Sequence, residues 1–300
     1  MHHWFHYPTN VSPIALKLGP IAIHWYGISY LIGFICVYLW MSRPAGRRRL
    51  GLTKEQIQDF LVYALVGVLV GGRTLFVIAN IITRLNVHDP HYAHHSWHSI
   101  WMYYGAHPIN LIAVWDGGMA FHGGLIGVII ALALFRRKHP QLKFTVLGDE
   151  VVMLLPIGIA LTRVVNFIND ELWGHICRPD YPWCMVPGNT AFWGPYYRHP
   201  SQLYEGILDI ATLPILLYLY SRKPKDGVVA WSWFMLYGIT RTTAEFWRAP
   251  GFMFLGLTGG QLLAVPMIFI GAYGVWWCWK HEPRTDVTPM DAKIEAAPPS

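Results

Sequence analysis

Three arginines inside apolar stretches are the residues of this chain best suited to chemistry. Arg73, Arg163 and Arg241 each lie about 14 residues, or about 21 Å of helix, from the inner end of their own apolar stretch. A charge inside a bilayer costs at least about 2.5–3.5 kcal/mol and is usually retained for function. The guanidinium fork binds phosphate oxygens in pairs. Three arginines at one depth therefore predict a pocket for an anionic ligand.

Further polar residues fall at the same depth. His122 and Tyr26 come out about 21–23 Å from the inner face, and Asn166 lies on the same helix face as Arg163. The sixth and fifth apolar stretches add Tyr237, Arg241, Glu245 and Arg248 on one stripe, and Gln202 and Glu205 near an outer end. For any single arginine, an internal ion pair such as Arg241–Glu245 is a sufficient alternative. The convergence of polar residues from five stretches favours a site.

Composition and charge indicate how these residues are held. The chain has 300 residues, of which 54% are hydrophobic and 13% charged, which is typical of a polytopic membrane protein. We predict an all-α fold with about seven transmembrane helices, from the apolar stretches 21–41, 59–80, 119–135, 149–166, 202–220, 227–246 and 257–280. A single catalytic domain is predicted over 1–280, with outer loops at about 81–118 and 167–201 and a flexible cytoplasmic tail at 281–300.

Basic residues predict the orientation of these helices. They are concentrated in the segments 42–54, 136–143 and 221–225 and near the C-terminus, on alternate loops of a seven-span chain. The positive-inside rule then places the N-terminus outside and the C-terminus in the cytoplasm. The net charge of +6 follows from these loops, and no nucleic-acid-binding patch is predicted.

Several separated motifs carry a family resemblance. They are His24-Trp25-Tyr26-Gly27, Gly71-Gly72-Arg73, the segment 115–124 ending in His122-Gly123-Gly124, Arg163 followed by the segment 166–174, the segment 198–205, and Tyr237-Gly238-Ile239-Thr240-Arg241 with Glu245 and Arg248. In this order, from about residue 13 to 280, they resemble the bacterial prolipoprotein diacylglyceryl transferases. Several long motifs in one order are a far more specific signal than one short motif.

The resemblance implies an enzyme of the bacterial inner (cytoplasmic) membrane. Such an enzyme moves the sn-1,2-diacylglyceryl group of phosphatidylglycerol onto the lipobox cysteine of a preprolipoprotein signal peptide, forming a thioether and releasing glycerol phosphate. The resemblance assigns catalytic roles to His122, Arg163, Arg241 and Tyr26. It assigns binding of phosphatidylglycerol to Arg163, Arg241, Asn166, Tyr237, Glu171, Glu245, Arg73 and Arg248. Membrane lipids are expected partners, and neither a cofactor nor a metal ion is expected.

The chain departs from the family pattern at three positions. Thr162 and Val165 stand where the family signature usually has glycine, and Asp170 stands where glycine or asparagine is common before the glutamate. Side chains in place of glycine narrow the approach to a phosphate, which leaves a paralogue with altered substrate choice as an alternative. An anion or lipid transporter is the alternative from another class. The absence of an inverted repeat and the outward bias of the polar layer favour the transferase.

Two features outside the polar layer leave alternatives open. Cys177 and Cys184 share an outer loop, and a disulfide and two free thiols are equally compatible with the sequence. The segment 86–107 holds six histidines among aromatic residues. Histidines four apart suit a metal site, but the aromatic content favours an arm at the level of the lipid headgroups.

Overall fold

The computed structural model describes residues 7–8, 12–19, 21–83, 104–114, 119–249, 253–254 and 256–285. Within these residues the chain is mostly helical, as predicted. The elements are β1 (Ile14–Leu18), β2 (Ile21–His24), α1 (Trp25–Met41), α2 (Pro44–Leu50), α3 (Lys54–Thr83), α4 (Phe121–Lys138), α5 (Phe144–Val152), α6 (Leu155–Ile168), α7 (Thr190–Trp193), α8 (Ser201–Ser221), α9 (Val228–Ala244), β3 (Met253–Phe254), β4 (Leu257–Thr258) and α10 (Gly259–His281).

Several of these helices are long and apolar enough to cross a membrane. Residues 54–82 of α3, together with α8 and α10, meet this description singly. The pair α1 and α2 is bent by 80°, and the pair α5 and α6 by 47°. Counting each bent pair as one span gives up to five candidate spans in the described part of the chain. The helical membrane class is confirmed, and the number of seven spans stays a prediction.

The first apolar stretch, 21–41, was predicted to be helical throughout, and its first four residues are not. Ile21–His24 forms β2, which pairs antiparallel with β1. Gly19 lies between the strands with a φ of +61°, a value that glycine adopts without strain. The helix α1 begins only at Trp25, whose N–H donates to the carbonyl of Pro13 at 3.2 Å. A second short hairpin, β3–β4, precedes α10, so the chain is mostly but not entirely α-helical.

The fourth apolar stretch is a broken helix rather than a single one. It was predicted over 149–166, whereas α5 already begins at Phe144 and ends at Val152, before α6 starts at Leu155. Pro156 occupies the first turn of α6. Proline suits a first turn because it lacks an N–H group, and it prevents an unbroken ladder from α5 for the same reason.

The chain divides into two compact units, one of residues 1–51 and 143–300 and one of residues 52–142. In the smaller unit, α3 and α4 pack through facing glycines. Gly67 and Gly71 lie against Gly123 and Gly127 so closely that a Cβ on Gly127 would sit 1.9 Å from the carbonyl oxygen of Gly67. The N–H of Ala120 also donates to the carbonyl of Gly72 at 2.9 Å, which fixes the start of α4 beside α3. Small residues permit this approach, as at many transmembrane helix contacts.

In the larger unit, Arg49 gathers three carboxylates from distant parts of the chain. Its guanidinium lies 2.8 Å from Asp149, 3.2 Å from Glu150 and 3.2 Å from Asp226, and all three acids are fully buried. Glu150 also accepts a hydrogen bond from Tyr220 at 2.6 Å. This cluster joins α2, α5 and α8 to Asp226, which lies just before α9. Buried charges are tolerated when they are paired in this way.

Parts of the sequence-based interpretation lie outside the described residues. They include most of the histidine-rich segment, positions 115–118 of the motif segment 115–124, and residues 286–300 of the predicted tail. The first residues of that tail contact Asp226: its N–H donates to the carbonyl of Pro283 at 3.1 Å, and it accepts from the Thr285 N–H at 3.1 Å. The single-domain prediction over 1–280 stays a prediction.

The glycine contact between α3 and α4 makes a stability prediction. Gly127→Ala should lower the free energy of unfolding by about 1–3 kcal/mol, because the added methyl group meets backbone and forces the helices apart. Gly124→Ala is the matched control, since its Cβ would meet neighbours at the ordinary distances of 3.6–3.9 Å. Thermal unfolding of both variants in detergent measures the difference. Equal stability of the two variants would contradict the proposed packing.

Candidate active site

Glu205 is the centre of the arginine cluster in the larger unit. Its Oε1 lies 2.9 Å from Nη2 of Arg163 and 3.5 Å from Nη1 of Arg241, and its Oε2 lies 3.2 Å from Nη1 of Arg248. Three guanidinium groups from α6, α9 and the turn after α9 thus meet on one carboxylate of α8. Arg241 and Arg248 also contact Glu245, at 2.5 and 3.9 Å. We call these five residues the Glu205 cluster.

The exposed side of the Glu205 cluster is positive. Glu205 and Glu245 are 1% and 4% exposed as side chains, whereas Arg163, Arg241 and Arg248 are 17%, 17% and 20% exposed. Three buried carboxylates, Glu205, Glu245 and Asp209, interact with the three guanidinium groups. The positive character of the exposed side therefore comes from the greater exposure of the arginines. An anion that approaches this cluster therefore meets guanidinium groups before carboxylates, which is the arrangement that a phosphate group requires.

The start of α10 fixes the position of Glu245. Thr258 caps α10 together with Gln261, and its hydroxyl donates to Oε2 of Glu245 at 2.5 Å. Gly260 follows in the first turn, where a Cβ would lie 2.3 Å from Oε1 of Glu245 and 2.9 Å from Nη2 of Arg241. A side chain at this position would displace the ends of Glu245 and Arg241, so the position of the ion pair against the helix depends on Gly260.

A second polar group lies beside the Glu205 cluster and shares Arg163 with it. The Tyr26 hydroxyl donates to Oε2 of Glu171 at 2.5 Å, and the Asn166 amide donates to the same oxygen at 3.1 Å. Asn166 Nδ2 also contacts the Tyr26 hydroxyl. Nη1 of Arg163 donates to Oδ1 of Asn166 at 3.2 Å. Arg163 thus has one nitrogen in each group. We call Tyr26, Asn166 and Glu171 the Tyr26 group.

An unusual backbone turn holds Glu171 in the Tyr26 group. Asp170 and Leu172 have φ values of +59° and +61°, in the left-handed region that favours glycine or asparagine. Glycine or asparagine, the residues that the family resemblance led us to expect at position 170, adopt this conformation with less strain. The carboxylate of Asp170 stabilises the turn by accepting from the Trp173 indole at 2.7 Å, from the Gly188 N–H at 3.0 Å and from the Asn189 N–H. Burial, and secondarily the Asp170 carboxylate, raise the pKa of nearby Tyr7.

The loop between α6 and α8 contains a disulfide. Cys177 and Cys184 are bonded, which resolves the alternative that the sequence left open. Ile176 and Met185, on either side of the disulfide loop, both form backbone bridges with Arg198. Arg198 leads directly to His199, whose Nδ1 lies 3.2 Å from the Tyr204 hydroxyl. Burial, and secondarily His175, lower the pKa of His199, which favours its neutral form near pH 7.

The remaining predicted site residues lie as follows. Tyr237 stacks on Trp233 and interacts with Arg163, so it belongs beside the Glu205 cluster. Arg73 and His122 belong to the unit of residues 52–142, and their convergence with the other site residues stays a prediction. Arg73 is buried and donates to the carbonyl of Asn110. His122 lies in the first turn of α4, next to the point where Ala120 bonds to Gly72.

Two positions of the site were not on the list predicted from the sequence. The sequence placed Glu205 near one end of the fifth stretch but gave it no role. Two acidic residues four apart in an apolar helix, Glu205 and Asp209, indicate that basic residues of other helices pair with them. Gly260 follows Gly259 at the start of the last stretch, and a glycine pair there indicates close approach of other atoms.

The chain is similar to known proteins over most of its length. The family model for prolipoprotein diacylglyceryl transferase matches residues 13–277. The chain belongs to this family. The phosphatidylglycerol–prolipoprotein diacylglyceryl transferase of Coxiella burnetii (strain Dugway 5J108-111) is 38% identical over 93% of this chain and 99% of its own length. The corresponding protein of Legionella pneumophila (strain Paris) is 40% identical over 90% of this chain and 98% of its own length. That of Methylibium petroleiphilum is 39% identical over 89% and 96%.

Membership makes the chain a transferase of lipoprotein biosynthesis. The family assignment therefore favours the transferase over the transporter considered from the sequence. The two departures from the family signature in α6 have different surroundings. The Thr162 hydroxyl donates to the carbonyl of Gly158 at 2.9 Å, within its own helix, and Val165 is 5% exposed. Thr162 therefore uses its donor on its own helix backbone.

The Glu205 cluster makes a prediction about stability. Glu205→Gln keeps the shape of the side chain and removes a buried charge that compensates three partly buried guanidinium groups. We expect it to lower the free energy of unfolding by about 3–5 kcal/mol. Asp180→Asn is the matched control, because Asp180 pairs with Arg178 at 2.9 Å on an exposed surface. Such exposed pairs contribute about 0–1 kcal/mol. Thermal unfolding in detergent should separate the variants, and similar losses in both would contradict the role of Glu205.

Proposed function

We propose that this chain transfers the sn-1,2-diacylglyceryl group of phosphatidylglycerol to the lipobox cysteine of preprolipoproteins in the bacterial inner membrane. The cysteine sulfur attacks a glycerol CH2 of the lipid, a carbon–sulfur bond forms, and the carbon–oxygen bond to phosphate breaks. The thiol proton passes to a base and glycerol phosphate leaves. The observation that supports this proposal most is the positive, partly exposed face of the Glu205 cluster.

In this proposal, Arg163 and Arg241 hold the phosphate that becomes the leaving group. Their fork geometry matches two phosphate oxygens, and both remain protonated while negative charge grows on the leaving group. Glu205 and Glu245 hold both guanidinium groups before the lipid arrives, so little reorganisation is needed during the reaction. Arg248 and Arg73 contact other parts of the lipid. Tyr237 interacts with Arg163 and helps to position it.

The Tyr26 group forms the second side of the proposed site. Arg163 connects it to the phosphate-binding side, because one of its nitrogens bonds Asn166 and another lies against Glu205. Tyr26, Asn166 and Glu171 therefore position Arg163 and contact the lipid near its phosphate. Tyr26 is also a proton donor or acceptor within reach of the reacting groups. His122 is the base that removes the thiol proton, since the pKa of a histidine lies near neutrality.

The proposed topology has seven spans, with the N-terminus outside and the C-terminus in the cytoplasm. It adds α4 and α9 to the spans counted by length and composition. The helix α9 has 17 residues, and α4 has 18 and ends in Arg136, Arg137 and Lys138. Basic residues at a helix end suit the cytoplasmic interface, where their side chains reach the headgroups. The catalytic domain then spans 1–280 and the predicted tail follows it.

A direct assay tests the proposed reaction. Purified protein is incubated with phosphatidylglycerol and a lipobox peptide, and the peptide is weighed by mass spectrometry. A diacylglyceryl gain that is lost when the peptide cysteine is alkylated supports the proposal. An acyl gain, or no gain, rejects it.

The arginine assignment makes a prediction within the same assay. Arg163→Ala and Arg241→Ala should each lower kcat by at least about 10²–10³-fold, the effect of removing one donor to a developing charge. Arg163→Lys and Arg241→Lys should recover little, because an ammonium group is a point charge without a fork. Arg178→Ala, in an exposed pair of the same unit, is the control and should leave kcat unchanged. Activity close to wild type in either alanine variant would reject the assignment.

The role proposed for His122 makes a separate prediction about pH. His122→Gln should retain binding of phosphatidylglycerol and lower turnover by about 10²–10⁴-fold, because a general base is lost. Raising the pH toward the ordinary thiol pKa of about 8.5 should then restore part of the rate, since thiolate forms without a base. A pH–rate profile measured alongside lipid binding tests this. Weakened binding without recovery at alkaline pH would assign His122 to the lipid headgroup instead.

A further inference from the structure

Gln202 is a buried amide whose hydrogen-bonding groups are unused within the described part of the chain. It lies in the first turn of α8 and is 0% exposed. Neither its Nε2 nor its Oε1 has a hydrogen-bond partner among the described residues. The large majority of buried side-chain polar atoms in proteins are hydrogen-bonded, and leaving an amide unpaired is costly. Such a residue has hydrogen-bonding capacity that a bound ligand can use.

The position of Gln202 on α8 relates it to the candidate site. Gln202, Glu205, Gly206 and Asp209 follow the spacing of one helix face. This face packs on α6, because a Cβ on Gly206 would lie 3.1 Å from the Cβ of Arg163. The Ser201 hydroxyl donates to the carbonyl of Leu172 at 2.7 Å, so the start of α8 lies beside the turn that follows α6. The two helices are therefore antiparallel here.

Because α6 and α8 are antiparallel, the position of Gln202 along α8 can be matched to a position along α6. It lies one turn before Gly206 on α8, so it is level with the turn of α6 that follows Arg163 and carries Asn166. Gln202 thus belongs between the Glu205 cluster, which shares its helix face, and the Tyr26 group. In the proposed function this level adjoins the phosphate-binding arginines.

We propose that Gln202 recognises the terminal diol of the phosphoglycerol group of the lipid donor, and that it thereby determines headgroup specificity. This inference rests on the proposed function of the Glu205 cluster as the phosphate site. A primary amide offers N–H donors and a carbonyl acceptor, and a vicinal diol offers a matching acceptor and donor. An ammonium headgroup offers donors only and brings a positive charge beside three guanidinium groups. A neutral amide therefore favours a polyol over an amine.

A headgroup analogue tests this proposal. Phosphatidylpropanol keeps the diacylglycerol, the phosphate and a three-carbon headgroup but lacks both hydroxyls. Wild-type protein, in mixed micelles with a lipobox peptide, should prefer phosphatidylglycerol by about 10–100-fold in kcat/KM, as expected when a buried polar group loses its partner. Gln202→Leu should bring this ratio close to one by slowing phosphatidylglycerol alone. Its rate with phosphatidylpropanol should equal that of the wild type.

Two further variants keep the test decisive. Gln202→Met conserves the length of the side chain and should give the same loss of preference if Gln202→Leu folds poorly. Thr212→Val removes one hydroxyl from a buried position deeper in α8 and should leave the lipid ratio unchanged. The thermal stability of Gln202→Leu should equal or exceed that of the wild type, because an unpaired amide is replaced by an apolar group of similar size.

The experiment distinguishes failure of the role of Gln202 from failure of the proposed function. A Gln202 variant that retains the preference, or that slows both lipids equally, overturns the specificity role, as does a wild-type protein without a preference. No product from either lipid with wild-type protein would reject the proposed function and this inference together. Product with an unchanged lipid ratio rejects only the inference about Gln202.

Discussion

The arrangement of the larger unit depends on a carboxylate shared by three guanidinium groups. In an environment of low dielectric constant, three positive charges repel one another strongly unless a negative charge lies among them. Glu205 supplies that charge from α8, while Arg163, Arg241 and Arg248 come from α6, α9 and the turn after α9. The interaction therefore fixes three separate parts of the chain around one point. It also leaves the outward faces of the guanidinium groups for a ligand.

Two local features of the backbone hold the side chains in and beside this cluster. The left-handed turn at Asp170 and Leu172 directs Glu171 toward Tyr26 and Asn166. The absence of a side chain at Gly260 lets the Arg241–Glu245 pair lie against the start of α10. The left-handed conformations of Asp170 and Leu172 are sparsely populated in proteins and usually persist where the surroundings hold them. Here the Asp170 carboxylate and the Thr258 cap supply the holding contacts.

The sequence predicted those parts of the site that follow from position along one helix. The spacing of Arg163 and Asn166, and of Arg241 and Glu245, placed each pair on one face, and both pairs are in contact. Depth along an apolar stretch says nothing about rotation around the helix axis, so the central position of Glu205 required the packing of α6, α8 and α9. Hydropathy also did not separate the strand Ile21–His24 from the helix that follows it, because both are apolar. The break before α6 was missed because apolar residues continue through it.

The cluster around Arg49 has a consequence for biosynthesis. Arg49 is separated from Asp226 by 177 residues, and the pair is 3.2 Å apart in the finished protein. At about 5–20 residues per second, a ribosome needs roughly 10–35 s to make the intervening chain. Asp149 and Glu150 follow Arg49 by 100 and 101 residues, so they emerge before Asp226. Until they are synthesised, we expect Arg49 to remain hydrated at the end that we propose to be cytoplasmic, where it contributes to retention of the first loop. We therefore expect the same arginine to act first as a topological signal and later, once Asp226 is synthesised, as the centre of the buried ion pairs that join α2 to α5 and to the start of α9.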